Sequence, residues 1–343
     1  MLPTPVHGLV MPTTGPLIDQ FGREHTYIRI SVTDRCNYRC VYCMPAEGLD
    51  WMPKDAILTY EEVARVARIF VDLGISKIRI TGGEPTVRRD LPELVAALGA
   101  LPGVRDLSMT TNGHLFAARA QSFADAGMHR VNISIDTLEP EQFRALTRGG
   151  DLDRVLQAID ASIEAGMTPV KLNAVMVAGE NDDQLLALIE HFAPLAEHVQ
   201  VRFIEAMPFS GAVRERTHLS TAAMRERIGE RYTLEPAERA VGGGPATTWR
   251  IAENGLVVGF ISPITEHFCH SCNRLRLQAD GHLRTCLSRE AVPSLRDLIR
   301  GGVSDDTLEH AIRCQVWGKV AGHEAHLKDG WSAFEGVMTS IGG

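Results

Sequence analysis

Six short segments of the chain alternate apolar and polar residues, which is the pattern of a strand with one buried face. They cover residues 27–32, 77–81, 106–110, 130–136, 169–175 and 199–205. Amphipathic helical segments lie between them, and two open with a capping-box pattern, Thr59 with Glu62 and Asn181 with Gln184. Repeated strand–helix units predict parallel strands joined by right-handed crossovers. We therefore expect an α/β fold, a partial (β/α)6 TIM-like barrel, with a doubly wound open sheet as the alternative.

The polar positions of these strands indicate what the barrel encloses. Because the helices must cover the apolar faces, the polar faces are expected to point inward. Four of the strands then carry a cation inside the barrel: Arg29, Arg79, Lys171 and Arg202. Burying four cations costs too much desolvation to be incidental, so the pattern predicts a wide lumen for a polar, anionic ligand. In the alternative, these side chains snorkel or pair with Asp136 and Glu205, which accounts for one or two of them.

The pattern changes after residue 206. An Asn-Gly turn within residues 247–263 and an Asp-Gly turn within residues 274–287 predict two hairpins. Helices are expected over residues 293–300 and 304–318. These elements predict a smaller C-terminal α+β domain. The expected organisation is an N-terminal extension (1–26), the barrel (27–210) and the C-terminal domain (211–343).

Composition and charge narrow the class of protein. A formal charge of −8 over 343 residues argues against a nucleic-acid partner bound by overall electrostatics. The N-terminus lacks the pattern of a signal peptide, and no apolar stretch is long enough to span a bilayer. Seven cysteines without an export signal are expected to be ligands rather than disulfides. We therefore expect a cytoplasmic protein with no membrane partner.

Three cysteines follow the first strand with the spacing C-x3-C-x2-C: Cys36, Cys40 and Cys43. A structural zinc site needs four ligands and a redox pair needs two, so neither fits this set well. An iron–sulfur cluster held by three thiolates, with one iron left open for a small molecule, fits best. Zinc or a fortuitous match remains the alternative.

A second set of three cysteines lies far downstream with the spacing C-x2-C-x13-C: Cys269, Cys272 and Cys286. His267, His270 or His282 could complete a zinc site here. Spacing alone therefore leaves zinc and an iron–sulfur cluster equally open. The seventh cysteine, Cys314, falls in an amphipathic helical segment and is expected to be a buried core thiol.

The first cysteine set, with Tyr42 before its last cysteine, resembles the signature of the radical S-adenosylmethionine (SAM) enzymes. That family has a six-unit partial barrel, and SAM chelates the open iron of its cluster. In that family, reductive cleavage of SAM gives a 5′-deoxyadenosyl radical. "TGGEP" (81–85) after the second strand is a second mark of the family. The resemblance implies that Gly82 and Gly83 approach the methionine end of SAM, and that Glu84 adds negative charge near it.

The whole motif set resembles the GTP 3′,8-cyclases, the lyases that begin molybdenum cofactor (molybdopterin) biosynthesis. It includes both cysteine sets, "TGGEP", "TTNG" (110–113) and a terminal "SIGG" (340–343). The resemblance runs from about Arg29 to Gly343. It implies that the first set holds a [4Fe-4S] cluster that binds SAM. It also implies that the second set holds a [4Fe-4S] cluster whose open iron binds the guanine of GTP.

The resemblance also implies roles for individual residues. The SAM-site positions are Tyr42, Gly83, Ser134 and Met207. The GTP contacts are Arg29, Arg79, Thr110, Lys171, Arg274 and Arg276. Arg202 matches an arginine near the reacting centre, and the tail with Gly342 and Gly343 is expected to enter the active site and support turnover. One departure is Lys319-Val320, where the family often has Lys-Pro.

The implied reaction removes the C3′ hydrogen of the GTP ribose, and C3′ then attacks C8 of guanine to give (8S)-3′,8-cyclo-7,8-dihydroguanosine 5′-triphosphate. The implied partners are a reductant such as flavodoxin or ferredoxin, a cyclic pyranopterin monophosphate synthase downstream, and a second copy in a homodimer. Two other hypotheses stay open. One is a radical SAM enzyme with an auxiliary cluster and another substrate, such as a peptide. The other is a zinc-stabilised nucleotide-binding protein without radical chemistry.

Overall fold

A computed structural model describes residues 3–207, 218–238, 244–287 and 294–322. All six segments with alternating polarity are strands, and their ends lie within two residues of the predicted ones. They are β1 (Tyr27–Ser31), β2 (Lys77–Thr81), β3 (Asp106–Thr111), β4 (Arg130–Ser134), β5 (Val170–Met176) and β6 (Val199–Glu205). Consecutive strands pair in parallel and in chain order. Their apolar residues, such as Ile28 and Ile78, are fully buried, which leaves the polar faces to line the interior.

Both predicted hairpins are present. β8 (Thr247–Ile251) pairs antiparallel with β9 (Val257–Ile261), and β10 (Arg274–Leu277) pairs antiparallel with β11 (Leu283–Arg284). A short strand, β7 (Leu234–Pro236), pairs with β8. These strands do not form a separate sheet, because β9 pairs in parallel with β6 and β10 pairs in parallel with β1. The C-terminal region thus extends the barrel wall at both edges, to eight adjacent parallel strands.

The connection between β9 and β10 therefore joins the two edge strands of this parallel wall. Residues 262–273 form it, and Cys269 and Cys272 lie in or next to a 3-10 turn directly before β10. Cys36 instead follows the C-terminal end of β1. Because β1 and β10 are parallel, with Tyr27 opposite Arg274, the two cysteine sets lie towards opposite ends of the barrel.

Helices cover the outer face of the sheet. They are α1 (Tyr60–Asp72), α2 (Leu91–Gly99), α3 (Ala120–Asp125), α4 (Pro140–Thr147), α5 (Leu152–Glu164), α6 (Gln184–Phe192), α7 (Thr221–Gly229), α8 (Leu295–Arg300) and α9 (Asp305–Trp317). The predicted capping box of α1 is confirmed: Thr59 accepts from Glu62 N, and Glu62 accepts from Thr59 N at 2.8 Å. No helix in the described ranges combines the length and the apolar character that a membrane span requires.

Two local expectations were wrong. Asn181 does not cap α6, because its amide donates to Asp136 O at 2.8 Å and to Val175 O at 3.0 Å. It instead ties the ends of β4 and β5 together. Cys314 is exposed rather than buried, with its sulfur 3.5 Å from His310 Nε2 one turn earlier on α9.

The loops after β1 and β2 lie against each other through their backbones. Gly83 N donates to Thr33 O, and Glu84 N donates to Arg35 O, both at 2.8 Å. A Cβ added at Gly83 would lie 2.4 Å from Arg35 O and 2.5 Å from Asp34 O. This close approach excludes a side chain at position 83. It fixes the start of the segment that carries the first cysteine set.

We expect Gly83→Ala to destabilise the protein by about 1–3 kcal/mol, the usual range for overpacking. The added methyl group would meet rigid carbonyl groups rather than a flexible side chain. Urea unfolding measures the effect. Gly229→Ala is the control, since a Cβ there would meet no described atom within 4 Å apart from its chain neighbours and the backbone of its own helix. Equal stability of the two variants would contradict the steric argument.

Candidate active site between two cysteine sets

One cavity of about 310 Å³ connects the two cysteine sets, and its volume is typical of small-molecule sites. All six cysteines line it: Cys36, Cys40, Cys43, Cys269, Cys272 and Cys286. So do ten other residues singled out from the sequence: Arg29, Tyr42, Arg79, Gly83, Thr110, Ser134, Arg202, Met207, Arg274 and Arg276. Lys171 is buried on the inward face of β5 without lining the cavity. Gly342 and Gly343 lie outside the described residues.

Two neutral groups donate to Cys36 in the first cysteine set. Cys36 Sγ accepts from Tyr38 N at 3.4 Å and from Asn112 Nδ2 at 3.9 Å. Burial raises the pKa of the Cys36 thiol to about 11, and it also raises the pKa of the Cys40 thiol well above its ordinary value. The nearby carboxylate charges of Glu84 and Asp136 add to this effect. At Cys36 and Cys40, thiolates therefore form when a bound metal replaces the protons.

Glu84 has a structural role that the sequence did not indicate. Its carboxylate accepts from Thr111 Oγ1 at 2.7 Å, from Asn112 N at 2.6 Å and from Thr86 N at 3.0 Å. Burial raises its pKa, and these bonds oppose the rise. The carboxylate therefore joins the loops after β2 and β3, and it places Asn112 against Cys36. It also lines the cavity, so it remains part of the negative surroundings of the first set.

Tyr42 links the first cysteine set to the barrel wall. Its hydroxyl donates to Asp136 Oδ2 at 2.6 Å, and Asp136 Oδ1 accepts from Val175 N at 2.8 Å. Burial raises the pKa of Asp136 to about 6, against the effect of these two bonds. Asp136 therefore has partners other than the inward cations.

The β10–β11 hairpin explains the wide spacing of the second cysteine set. Arg276 lies opposite Arg284 in the antiparallel register, and two more residues along the same register place Cys286 opposite Arg274. The turn thus returns Cys286 to the neighbourhood of Cys272. Of the three histidines considered as zinc ligands, His267 lines the cavity. His282 pairs with Asp280 at 3.0 Å in the hairpin turn, and His270 is exposed.

The second set has the opposite electrostatic surroundings. Burial alone would raise the pKa of the Cys272 thiol, but the charges of Lys319 and Arg274 outweigh it and lower the pKa to about 6. A thiolate therefore forms readily at this position. A donor set of three cysteines on the wall of one cavity suits a thiolate-bound iron–sulfur cluster at each end.

The register of the strands places arginines side by side on the inner wall. Arg29 lies opposite Arg276 on one side and opposite Arg79 on the other. The same row continues through Ser108 to Arg130. Like charges directly opposite one another destabilise a sheet. This row therefore costs stability in the free protein.

Several cations in this wall have few counter-charges. The Nε atoms of Arg202 and Arg276 are buried and have no hydrogen-bond partner within the described ranges. Burial and the charges of neighbouring arginines lower the pKa of both guanidinium groups. The same causes lower the pKa of Lys171 to about 6. Glu205, which we considered as a counter-charge, instead accepts from Thr221 N at 2.8 Å and from Thr265 N at 3.0 Å.

Sequence reasoning missed four residues that begin the first four barrel strands, at the amino-terminal end of the barrel: Tyr27, Lys77, Asp106 and Arg130. Lys77 Nζ lies 3.0 Å from Asp106 Oδ2, and Arg130 also pairs with this carboxylate. Arg29 Nε donates to the Tyr27 hydroxyl at 3.3 Å. Burial would raise the pKa of Tyr27, but three surrounding cations lower it to about 7. The sequence does contain a signal for Lys77, because it lies two residues before Arg79 and therefore on the same face of β2.

Comparisons with known proteins agree with this geometry. The Radical SAM superfamily model matches residues 30–192, and the Molybdenum Cofactor Synthesis C model matches residues 199–325. Streptococcus suis SuiB bound to precursor peptide SuiA superposes with a TM-score of 0.59 at 17% identity, over 84% of this chain and 66% of SuiB. SuiB bound to S-adenosylmethionine gives a TM-score of 0.55 at 16% identity, with the same coverage. At these identities the likeness concerns the fold alone, and it confirms the predicted partial barrel.

Curated relatives match nearly the whole chain. The GTP 3′,8-cyclase of Mycobacterium sp. (strain KMS) is 43% identical over 337 residues, which cover 97% of this chain and 95% of the relative. That of Moorella thermoacetica is 43% identical, over 95% of this chain and 99% of the relative. The mitochondrial GTP 3′,8-cyclase of Arabidopsis thaliana is 42% identical, over 92% and 81%. The chain therefore belongs to the GTP 3′,8-cyclase family of the radical SAM superfamily.

Proposed function

We propose that this chain is a GTP 3′,8-cyclase, a radical SAM lyase that carries out the first step of molybdenum cofactor biosynthesis. The observation that carries the proposal is the single cavity, which has a three-cysteine set at each end and buried arginines between them. The cofactors of the family are two [4Fe-4S] clusters and SAM. When bound, they would supply the radical that takes the C3′ hydrogen of GTP. The addition of C3′ to C8 of guanine opens the C8–N7 double bond, and one electron, from the reductant, and one proton complete the dihydro product.

The residues at the first end would hold the cluster and SAM. Cys36, Cys40 and Cys43 supply the thiolates. Burial, followed by the nearby carboxylate charges of Glu84 and Asp136, raises the pKa values of Cys36 and Cys40. These carboxylates also favour a cationic sulfonium group. Gly83, Ser134 and Met207 line the cavity beside this set, and in our proposal they contact SAM together with Tyr42.

The residues at the second end would hold GTP. Cys269, Cys272 and Cys286 supply the thiolates of the cluster that binds guanine. A triphosphate needs several cations, and arginine forks match its oxygens. The proposed contacts are Arg29, Arg79, Thr110, Lys171, Arg274 and Arg276. Among the described residues, the Nε of Arg276 has no hydrogen-bond partner. This supports the assignment, because an anion would supply an acceptor.

Arg202 has a position suited to the reacting centre. It lies on β6 opposite Gly259, where an added Cβ would come within 3.0 Å of the Arg202 Cγ. The glycine thus makes room for the arginine to extend over β9 inside the barrel. Its buried Nε, which has no hydrogen-bond partner in the described part of the chain, is in our proposal available to the substrate. We further propose that the tail with Gly342 and Gly343 supports turnover, an assignment that rests on the family resemblance.

The remaining parts of the proposal concern partners and location. GTP is the proposed substrate, and a low-potential reductant such as flavodoxin or ferredoxin supplies the electron. Cyclic pyranopterin monophosphate synthase consumes the product, and the protein acts as a homodimer. A cytoplasmic location is supported by cysteines that serve as ligands, since thiols stay reduced there.

The decisive experiment is anaerobic incubation of the reconstituted protein with SAM, a reductant and GTP. We expect the 3′,8-cyclised nucleotide, detected by mass spectrometry, from protein that holds about eight irons per chain. Cleavage of SAM with GTP recovered unchanged would instead support a radical SAM enzyme with another substrate. Colourless protein with stoichiometric zinc would refute both enzyme hypotheses.

The two cysteine sets should separate two activities. In Cys269→Ala we expect SAM cleavage to persist in part while GTP turnover is lost, because the first set stays intact. In Cys36→Ala we expect both activities to be lost. Chromatographic assays for 5′-deoxyadenosine and for the cyclised nucleotide measure them. Equal loss of SAM cleavage in the two variants would contradict this division.

Lys171 should make apo-protein stability depend on pH. Its pKa in the folded protein is about 6, below the ordinary 10.5, so the unfolded state binds more protons between these values. Stability is therefore lost as the pH falls through this window. We expect Lys171→Met to raise the melting temperature at pH 7 by about 2 °C or more, and by less at pH 9. A stabilisation that does not change with pH would refute the depressed pKa.

A further inference from the structure

Lys319 is a buried cation that the proposed reaction does not use. It follows α9 and is 2% exposed. Its Nζ donates to Arg274 O at 2.6 Å and to Cys272 Sγ at 3.6 Å. A lysine is rarely buried, because removing its charge from water is costly. Here the ammonium group is directed at one of the three sulfurs that would hold the second cluster.

A segment of the N-terminal extension holds Lys319 in this position. The Arg23 guanidinium donates to Val320 O at 2.7 Å, to Ala321 O at 2.8 Å and to Cys269 O at 2.8 Å. Asp19 fixes Arg23 in turn, accepting from its Nε at 2.7 Å. Arg23 thus joins the chain on either side of the cluster site, and it connects the backbone that carries Lys319 to the backbone that carries Cys269.

The N-terminal segment makes two further contacts. Gln20 Nε2 donates to Lys319 O at 3.2 Å. Asp19 Oδ2, which accepts from Arg23 Nε, also lies 3.0 Å from His25 Nε2. Both Asp19 and His25 are fully buried. We call Asp19, Arg23 and Lys319 the N-terminal clamp. A buried, hydrogen-bonded arrangement of this kind holds a side chain in one conformation.

The first cysteine set has different surroundings. Cys36 accepts from the neutral N–H groups of Tyr38 and Asn112. The carboxylate charges of Glu84, near Cys36, and of Asp136, near Cys40, add to the effect of burial in raising the pKa values of these thiols, and the charge of Arg39 opposes the rise at Cys36. The two sets share a ligand type, but the side-chain donor at the Cys272 sulfur is a cation, whereas the donors described at the Cys36 sulfur are neutral. Hydrogen bonds to the sulfurs and nearby charge set the reduction potential of an iron–sulfur cluster.

We propose that the N-terminal clamp tunes the second cluster, with Lys319 as a positioning residue whose ammonium group hydrogen-bonds the Cys272 sulfur and raises the reduction potential of the cluster. A cationic donor stabilises the reduced cluster more than the oxidised one, because the reduced cluster is more negative by one electron. The inference rests on the proposed function only in placing a cluster on Cys269, Cys272 and Cys286.

The test is a redox titration followed by electron paramagnetic resonance, without GTP. Cys36, Cys40 and Cys43 are all replaced by Ala in the parent protein, so that only the second cluster contributes a signal. In Lys319→Met we expect the ratio of reduced to oxidised cluster at a fixed potential to fall at least tenfold. This corresponds to a shift of about −59 mV for a one-electron couple. Lys319→Arg keeps the charge and is expected to stay near the parent value.

Arg313 provides a matched control. It is also a buried cation that ties the N-terminal extension to α9, donating to Gly15 O and to Glu309 Oε1, both at 2.8 Å. It makes no contact with a cluster cysteine within the described residues. We expect Arg313→Met to lower the melting temperature and leave the potential unchanged. Arg23→Met should shift the potential in the same direction as Lys319→Met, because it releases the clamp.

An unchanged potential in Lys319→Met, or an equal shift in Arg313→Met, would overturn the inference. If Lys319→Met loses the cluster, the potential is measured in Lys319→Gln, which keeps a hydrogen-bond donor without the charge. A potential in Lys319→Gln equal to that of the parent would then overturn the proposal. Absence of any iron–sulfur signal in the parent would overturn this inference together with the second cluster. A normal set of shifts without GTP cyclisation would leave the inference standing and refute the cyclase.

Discussion

The structure depends on an excess of positive charge inside the barrel wall. The register of parallel strands aligns Arg276, Arg29 and Arg79 side by side, and Arg202 is buried on the same inner face. The Asp106 carboxylate pairs with Lys77 and Arg130, so it neutralises positive charge at the amino-terminal end of this wall. Such a wall is costly in the free protein, and a polyanion relieves that cost on binding. The net charge of −8 shows that the positive charge is a local arrangement rather than a property of the whole surface.

Much of this arrangement could be predicted from the sequence, because it depends on local patterns. Alternation with a period of two located all six strands and their inward faces, and the Asn-Gly and Asp-Gly turns located both hairpins. Local patterns failed where a partner lies far away along the chain. Asn181 has the residue type of a helix cap, yet it ties together β4 and β5. For Cys314, an amphipathic helix was recognised but the wrong face was chosen as buried.

The pairing of the edge strands was the largest feature that could not be predicted from the sequence. Nothing local indicates that β10 lies beside β1, a strand nearly 250 residues earlier, or that β9 lies beside β6. These pairings place the second cysteine set on the connection between the two edges of the wall. They also place Arg276 next to Arg29 and bring Lys319 to Cys272. Spacing alone could propose the ligands, but only the pairing of the strands shows what surrounds them.

The same pairings explain how one ligand type can serve two purposes in one cavity. Thiolates beside Glu84 and Asp136 are in negative surroundings, which favour a cationic ligand and disfavour further negative charge on a cluster. Thiolates beside Lys319 and Arg274 are in positive surroundings, which favour an anionic ligand and an added electron. Because the inner wall between them is cationic, a polyanion is attracted towards the second set and the row of arginines. A cationic sulfonium is favoured beside the carboxylates of the first set, so the charge distribution agrees with the proposal that SAM binds at that end and GTP at the other.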